Sequence, residues 1–159
     1  MKIGKVTLFE RREISNGRGG KNTVLYYLIR SPWIDIDVRS LHEDGYVSAG
    51  APMHNHGVEM YRLCLWGGYD ELRSDHPRGW VRKVRPGTIN YLPKDTFHYI
   101  VRQVGDPSWT IGFATKWRGS SKPQFLVDGE PVSMIDWISE QGKQHVAYSF
   151  AKAIDAPVE

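Results

Sequence analysis

The sequence predicts an all-β domain, a sandwich or small barrel, followed by a short C-terminal helical segment. Three observations carry this expectation. Stretches rich in β-branched and aromatic residues recur along the chain. Clusters of Gly, Pro, Asn and Asp separate them at the spacing of strands and turns. Only near the C-terminus does the apolar spacing become three and four, as at Val146, Phe150 and Ile154. With 159 residues, 40% of them hydrophobic and 25% charged, the chain is expected to form one domain over 1–159. Its core is expected at about 23–130 and its helical extension at about 131–159.

The strands are expected in order. "KVTLFERREI" is the first, "SNGRGGKN" a turn, and "TVLYYLIR" the second strand, broken by "SPW". The glycines of "GRGGKN" do not make a phosphate loop, because Lys21 is followed by Asn22 and a strand rather than by Ser or Thr and a helix. "WIDIDVRSLH" alternates, which predicts Ile34, Ile36 and Val38 facing inward, with Ser40 and His42 on the same side. "EMYRLCLWGGYDEL", "GWVRKV", "TINYL", "FHYIVRQV", "WTIGFAT" and "PQFLV" supply the remaining strands, and "MIDWISEQGKQHVAYSFAKAIDA" one or two short helices.

Composition excludes several classes. A formal charge of +3 with scattered basic residues is far short of a nucleic-acid footprint, although it suits small anions. No run of 18 or more apolar residues is present, so no transmembrane helix is expected. "MKIGKVTLFERREI" has no apolar segment of secretory length, which predicts a cytoplasmic protein. One cysteine, Cys64, cannot form an internal disulfide or a cysteine zinc cluster; on an apolar strand it is expected to be inert packing.

The chemistry concentrates in "PMHNHGVEMYRLCLWGGYDE", residues 52–71. Alternation on a strand puts His54 and His56 on one side, as two ligands of one metal ion require. The alternative is a pair of ordinary polar residues at a strand end. A second stretch, "RPGTINYLPKDTFHYI", carries turns at Gly87 and Pro93 and a third histidine, His98. Together the two stretches resemble the paired motifs of the cupin superfamily: His-x-His with Gly67 eleven positions after His56, then Gly87, Pro93 and His98 at the second motif's spacing, with Asp95 in place of a turn glycine. The pattern "LHEDG…MHNHGVEMYRLCLWGGYDE…RPGTINYLPKDTFHYI…SWTIGFATKWRG…FLV" is further similar to small single-domain bacterial and phage cupins of uncharacterised function, over about residues 25–130.

The resemblance implies a double-stranded β-helix, or jelly-roll barrel, and a divalent transition metal held by His54, His56 and His98. Iron(II) would imply a dioxygenase-like enzyme, and zinc, nickel or manganese an isomerase or hydrolase. By count Met60 takes the place of the family's acidic ligand; Glu59 would complete the shell only through a bulge or a late strand start, and water would do so otherwise. His42 is a candidate ligand, second-layer partner or acid/base, or else a core histidine. Tyr91 is a candidate acid/base or substrate contact, and Tyr99 a substrate contact, because they flank His98. Arg62 shares the inward parity of the histidines and, if buried, needs a partner, either a substrate carboxylate or phosphate or an internal ion pair, unless a strand twist frees it. The expected partner is a small polar or anionic molecule, and pairing of two barrels into a homodimer is also expected. Two other readings stay open: a ligand-binding cupin without turnover, for a sugar, nucleotide or signal molecule, and a metal-free epimerase-like cupin.

Overall fold

The computed structural model describes residues 2–15, 21–42, 52–77, 80–116 and 121–141. Among the described residues twelve strands run in chain order: β1 Lys2–Ile3, β2 Val6–Ser15, β3 Lys21–Arg30, β4 Ile34–Leu41, β5 Glu59–Trp66, β6 Tyr69–Arg73, β7 Val81–Val84, β8 Ile89–Leu92, β9 His98–Gln103, β10 Ser108–Thr115, β11 Gln124–Val127 and β12 Glu130–Ser133. One helix, α1, follows at Met134–Gln141. Val146, Phe150 and Ile154, expected on a helix, lie outside the described residues, as does most of the "SNGRGGKN" turn. The segment "EPVS", assigned to no strand from the sequence, is β12. Among the described residues no helix is long and apolar enough to cross a membrane.

The strands form two antiparallel layers, the jelly-roll arrangement expected. The larger sheet has the order β1-β2-β3-β4-β10-β5-β8. The other contains β7-β6-β9 and the β11-β12 hairpin. His54 joins these two pieces, bridging His98 on one side and Phe125 on the other. Its N–H donates to the His98 carbonyl at 3.0 Å, and the His98 N–H returns a bond to the His54 carbonyl at 2.9 Å. Turns at the expected positions close the strand ends: Thr88 N–H bonds Arg85 O at 2.9 Å, and Thr96 N–H bonds Pro93 O at 3.1 Å. Gly67 must be glycine, since its φ is +70° and a Cβ there would lie 2.7 Å from Ser108 Oγ.

The core between the layers has three parts. At one end Leu41 and Cys64 of the larger sheet meet Tyr69, Val84 and Ile100 of the smaller. At the other, Met60, Leu92 and Ala114 pack together. Burying each Leu, Met or Ile of these clusters stabilises the fold by roughly 1.5–3 kcal/mol. Between them runs a polar row, because register places Asp37 opposite Gly112, Gly112 opposite Arg62, and Arg62 opposite Asn90.

This row reverses one expectation. On β4 it is Asp37, Arg39 and Leu41 that face the interior, and Ile36 and Val38 that lie on the outer face. Asp37 is only 2% exposed. The reason is electrostatic: Arg62 is also inside, and its Nη1 and Nη2 donate to Asp37 Oδ1 at 3.1 Å each, with Nη2 donating to Oδ2 at 3.0 Å. Thr110 Oγ1 accepts a further bond from Nη1 at 3.2 Å. Gly112 makes the pair possible, because a Cβ there would sit 2.5 Å from Arg62 Nη1. The internal carboxylate, one of the two partners considered for Arg62, is therefore present. Cys64 behaves as expected: it is buried, and burial pushes its thiol upward, away from the reactive thiolate.

Burial pushes the Asp37 carboxyl up, but the charges of Arg62 and Arg39 and the Arg62 hydrogen bonds outweigh it and hold the group below its ordinary 3.8. A carboxyl depressed on folding stabilises the native state above its unfolded value and loses that contribution as pH falls through the folded one. Stability should therefore decline as the pH drops below about 4. Asp37→Ala leaves Arg62 buried without its partner and should cost about 3–5 kcal/mol at neutral pH. Urea unfolding of both proteins at pH 7 and at the acid end checks this; a loss below about 1 kcal/mol would show that the pair is not what neutralises the interior.

Candidate metal centre

Three imidazoles converge on the inner side of the smaller sheet. His54 and His98 are backbone-paired neighbours, so both rings rise from the same face, with centroids 4.8 Å apart. His56, two residues on, adds the third ring, 5.0 Å from His54 and 5.1 Å from His98. One potential ligand atom from each of the three lies within 4.8 Å of the others. His56 Nε2 and His98 Nε2 are 3.0 Å apart. Two nitrogens on one ion at 2.0–2.1 Å, in tetrahedral or octahedral arrangement, would lie about 2.9–3.3 Å apart. The His56–His98 edge already has that spacing.

The protonation of the cluster also fits a metal. Burial, then the neighbouring His98 and Arg39 charges, push His54 down to about 3. Burial, with His54, His98, Arg39 and Arg62 around it, pushes His56 well below its usual value. Both rings are neutral at pH 7, the form a metal ion requires.

Glu71 completes the arrangement. It is fully buried, and its Oε2 lies 3.2 Å from His98 Nδ1. The Nδ1–H donates to that carboxylate, which turns the Nε2 lone pair toward the cluster. Asn90 Nδ2 holds the other oxygen, Oε1, at 2.8 Å. Tyr69 stands beside this pair with its hydroxyl 3.4 Å from Asn90 Nδ2. Burial, followed by the Glu71 charge, raises its phenol to about 12, so it can donate a proton but is no base near neutrality. Sequence reasoning missed Glu71: "GGYDE" reads as a turn leading into a strand, and no spacing rule ties it to His98. Only the pairing of β6 with β9, which sets Arg73 opposite His98, brings Glu71 within reach of that ring.

The other predicted residues are placed as follows. Met60 faces inward, 4% exposed, and lines the cavity in front of the histidines. Glu59 alternates with it at the start of β5, and regular pairing to β10 through Thr115 leaves no bulge there to turn it in. The histidine cluster does not include it. His42 follows Ser40 onto the outer side of β4, where its Nε2 meets Ser40 Oγ at 3.2 Å and its Nδ1 meets Asp106 Oδ1 at 3.5 Å. Tyr91 stacks on Tyr61 on the outer face, with ring centroids 4.7 Å apart, because β8 turns Asn90 and Leu92 inward instead. Tyr99 likewise alternates with the inward His98 and Ile100 and does not line the cavity. Arg62 does line it, with Arg39, which the assumed parity of β4 had placed outside.

The cavity between the histidines and these arginines has a volume of about 30 Å³. A water needs roughly 10–15 Å³ on this measure, so the space suits an ion and a small group.

No family model and no curated protein matches the sequence. Solved structures do match in three dimensions. DMSP lyase DddQ from Ruegeria pomeroyi DSS-3 superposes with a TM-score of 0.55 at 20% identity, over 77% of this chain and 64% of the lyase. A cupin 2 conserved barrel domain protein from Rhodopseudomonas palustris gives 0.53 at 15%, over 92% of this chain and 97% of that one. The FeII HppE structure gives 0.51 at 12%, over 67% of this chain and 55% of that one. The chain thus spans less than two thirds of the lyase and about half of HppE.

Replacing Glu71 by Gln keeps the shape but weakens the acceptor for His98 Nδ1–H. Metal affinity should fall about 10–100-fold while the fold persists. Competition with a chelating dye measures it, and unchanged affinity would remove Glu71 from the site. The jelly-roll topology, the paired layers and these neighbours together establish that the chain has the cupin fold.

Proposed function

We propose that this protein is a mononuclear metal enzyme acting on a small polar or anionic molecule, with His54, His56 and His98 as its metal ligands. The observation that carries the reading is the trio of convergent imidazoles, neutral at His54 and His56, that opens on one side to a cavity. Three protein ligands leave positions for substrate or water, the arrangement of catalytic rather than structural sites. Nitrogen donors suit iron, zinc, nickel and copper over magnesium or calcium.

Iron(II) is the ion we propose, in a dioxygenase-like role. The FeII HppE structure carries that ion on the same fold. When bound, iron(II) would supply oxygen chemistry, whereas zinc, nickel or manganese would supply Lewis-acid polarisation. The chain's own part is separate. Glu71 and Asn90 orient His98, Met60 and Leu92 exclude water on one side, and Tyr69 offers a hydrogen-bond donor from its raised phenol. The metal-free epimerase reading has less support, because His42 and Tyr91, its candidate acid and base, stand on the outer face.

The test is tag-free protein purified without chelator, together with its His56→Ala variant. About one equivalent of transition metal is expected in the first and none in the second, with matching circular dichroism. Nitric oxide added anaerobically to the iron(II)-loaded protein should bind and give a half-integer-spin EPR signal, since open positions exist. Stoichiometric metal in His56→Ala would contradict the ligand assignment, and iron that binds no nitric oxide would contradict the oxygenase role.

The homodimer belongs to the same proposal. Register aligns Tyr26, Val38, Ile111, Leu63 and Ile89 in one row across the outer face of the larger sheet, and Ile36, Phe113, Tyr61 and Tyr91 in a second. Exposure reaches 64% at Ile89, 48% at the neighbouring Leu65 and 68% at Trp66. Large side chains this exposed leave of the order of 100 Å² each to cover, against about 800 Å² per partner in a standard interface. A second copy presents the same rows under two-fold symmetry. Sedimentation at micromolar concentration should give twice the chain mass, reduced to one by Tyr61→Glu; a monomeric wild type would contradict it.

A further inference from the structure

We infer that Arg73 is a positioning residue of the metal centre: its guanidinium fixes the Asn90 amide and sets a positive charge beside Glu71, so that Glu71 serves His98 as an acceptor, while Asp75 at the surface locks the guanidinium in place. The inference rests on the metal-centre reading above and deepens it with residues that act on a ligand from behind.

The first ground is charge. Glu71 is fully buried. A buried carboxylate stays ionised only beside a positive group or enough hydrogen-bond donors. His98 is not that cation, because an imidazole with its proton on Nδ1 and a free lone pair on Nε2 is neutral. Arg73 follows Glu71 by two residues on β6, so the two side chains leave the strand on one face. Its Nη1 lies 4.0 Å from Glu71 Oε1. Among the described residues it is the one permanently charged side chain that close to Glu71.

The second ground is the orientation of Asn90. A guanidinium only donates, so Arg73 Nη1, 3.5 Å from Asn90 Oδ1, selects the amide rotamer with its oxygen toward β6. That rotamer turns Nδ2 to Glu71 Oε1 at 2.8 Å. The flipped amide would set its NH2 against the guanidinium and its oxygen against the carboxylate, and both bonds would be lost.

The third ground is the anchoring of Arg73 itself. The residue is only 6% exposed. Asp75 takes it in a two-point grip, with Nε donating to Oδ1 at 2.9 Å and Nη2 donating to Oδ2. Thr96 Oγ1 donates to the same Oδ2 at 3.3 Å. Nη1 also donates to the Tyr91 carbonyl at 2.8 Å, beside Asn90 on β8. A staple between β6 and β8 would need only Asp75 and that carbonyl. The remaining Nη1 contacts instead continue through Asn90 and Glu71 to His98 Nδ1.

The test measures zinc affinity of the full-length protein near neutral pH, by competition with a chelating dye, and melting temperature in the same samples. Arg73→Gln should weaken zinc about tenfold. Arg73→Lys should recover part of the loss, because it restores the charge without the planar fork. Asp75→Asn, at the exposed end, should weaken zinc by a smaller factor. A double-mutant cycle separates positioning from mere stability: in the Glu71→Gln background, Arg73→Gln should change zinc affinity by less than about twofold. Wild-type zinc affinity in Arg73→Gln, or an equal loss with and without Glu71, would overturn the inference. Should Arg73→Gln not fold, wild-type affinity in both Arg73→Lys and Asp75→Asn would overturn it as well. Wild-type protein that takes up no zinc would overturn the metal-centre reading itself, so the two failures are distinct.

Discussion

A single backbone pair, His54 with His98, holds both the fold and the site. The two residues exchange N–H···O=C bonds and so stitch β9 to β11 across a segment that is otherwise not a strand. Without that pair the smaller sheet would fall into β7-β6-β9 and a separate hairpin. With it, two imidazoles rise together from one face, and the period of two brings His56 beside them. The site is therefore a consequence of how the barrel closes.

The opposite layer answers with a constraint of its own. A guanidinium inside a barrel this narrow has to be neutralised in place. Asp37 does so across Gly112, the one position in the row where a side chain would collide with the pair. The result is an interior organised in bands: an apolar cluster at each end, and between them a polar wall that faces the histidines. Glu71 and Asn90 carry the polar band from one sheet to the other.

The sequence displays most of the strands plainly, because Gly, Pro and Asp punctuate them, and it displays the three histidines that cluster, because His-x-His alternates onto one face and the second stretch adds His98. Arg62, Met60 and Cys64 follow correctly from parity on β5. The polar half of the site is harder to read. The rule that apolar residues face inward placed Ile36 and Val38 inside and Arg39 outside, and it carried His42 along with the wrong face. The rule fails here because the larger sheet has apolar residues on both faces. Its inner face is the one that bears a charge pair, so hydrophobicity does not choose between them. Tyr99 adjoins His98 along β9, and Tyr91 adjoins the inward Asn90 and Leu92 along β8; in both cases adjacency along a strand means opposite faces. Glu71 was missed because its partner His98 lies on another strand, and only the three-dimensional register brings the two together.

The central claim is that His54, His56 and His98 jointly hold one metal ion. Anomalous diffraction collected on either side of the absorption edge of the metal found in the purified protein tests it most directly. One peak per chain is predicted, at about 2.0–2.2 Å from a nitrogen of each of the three imidazoles. A peak outside this cluster, or none in crystals soaked with iron(II) or zinc, would contradict it.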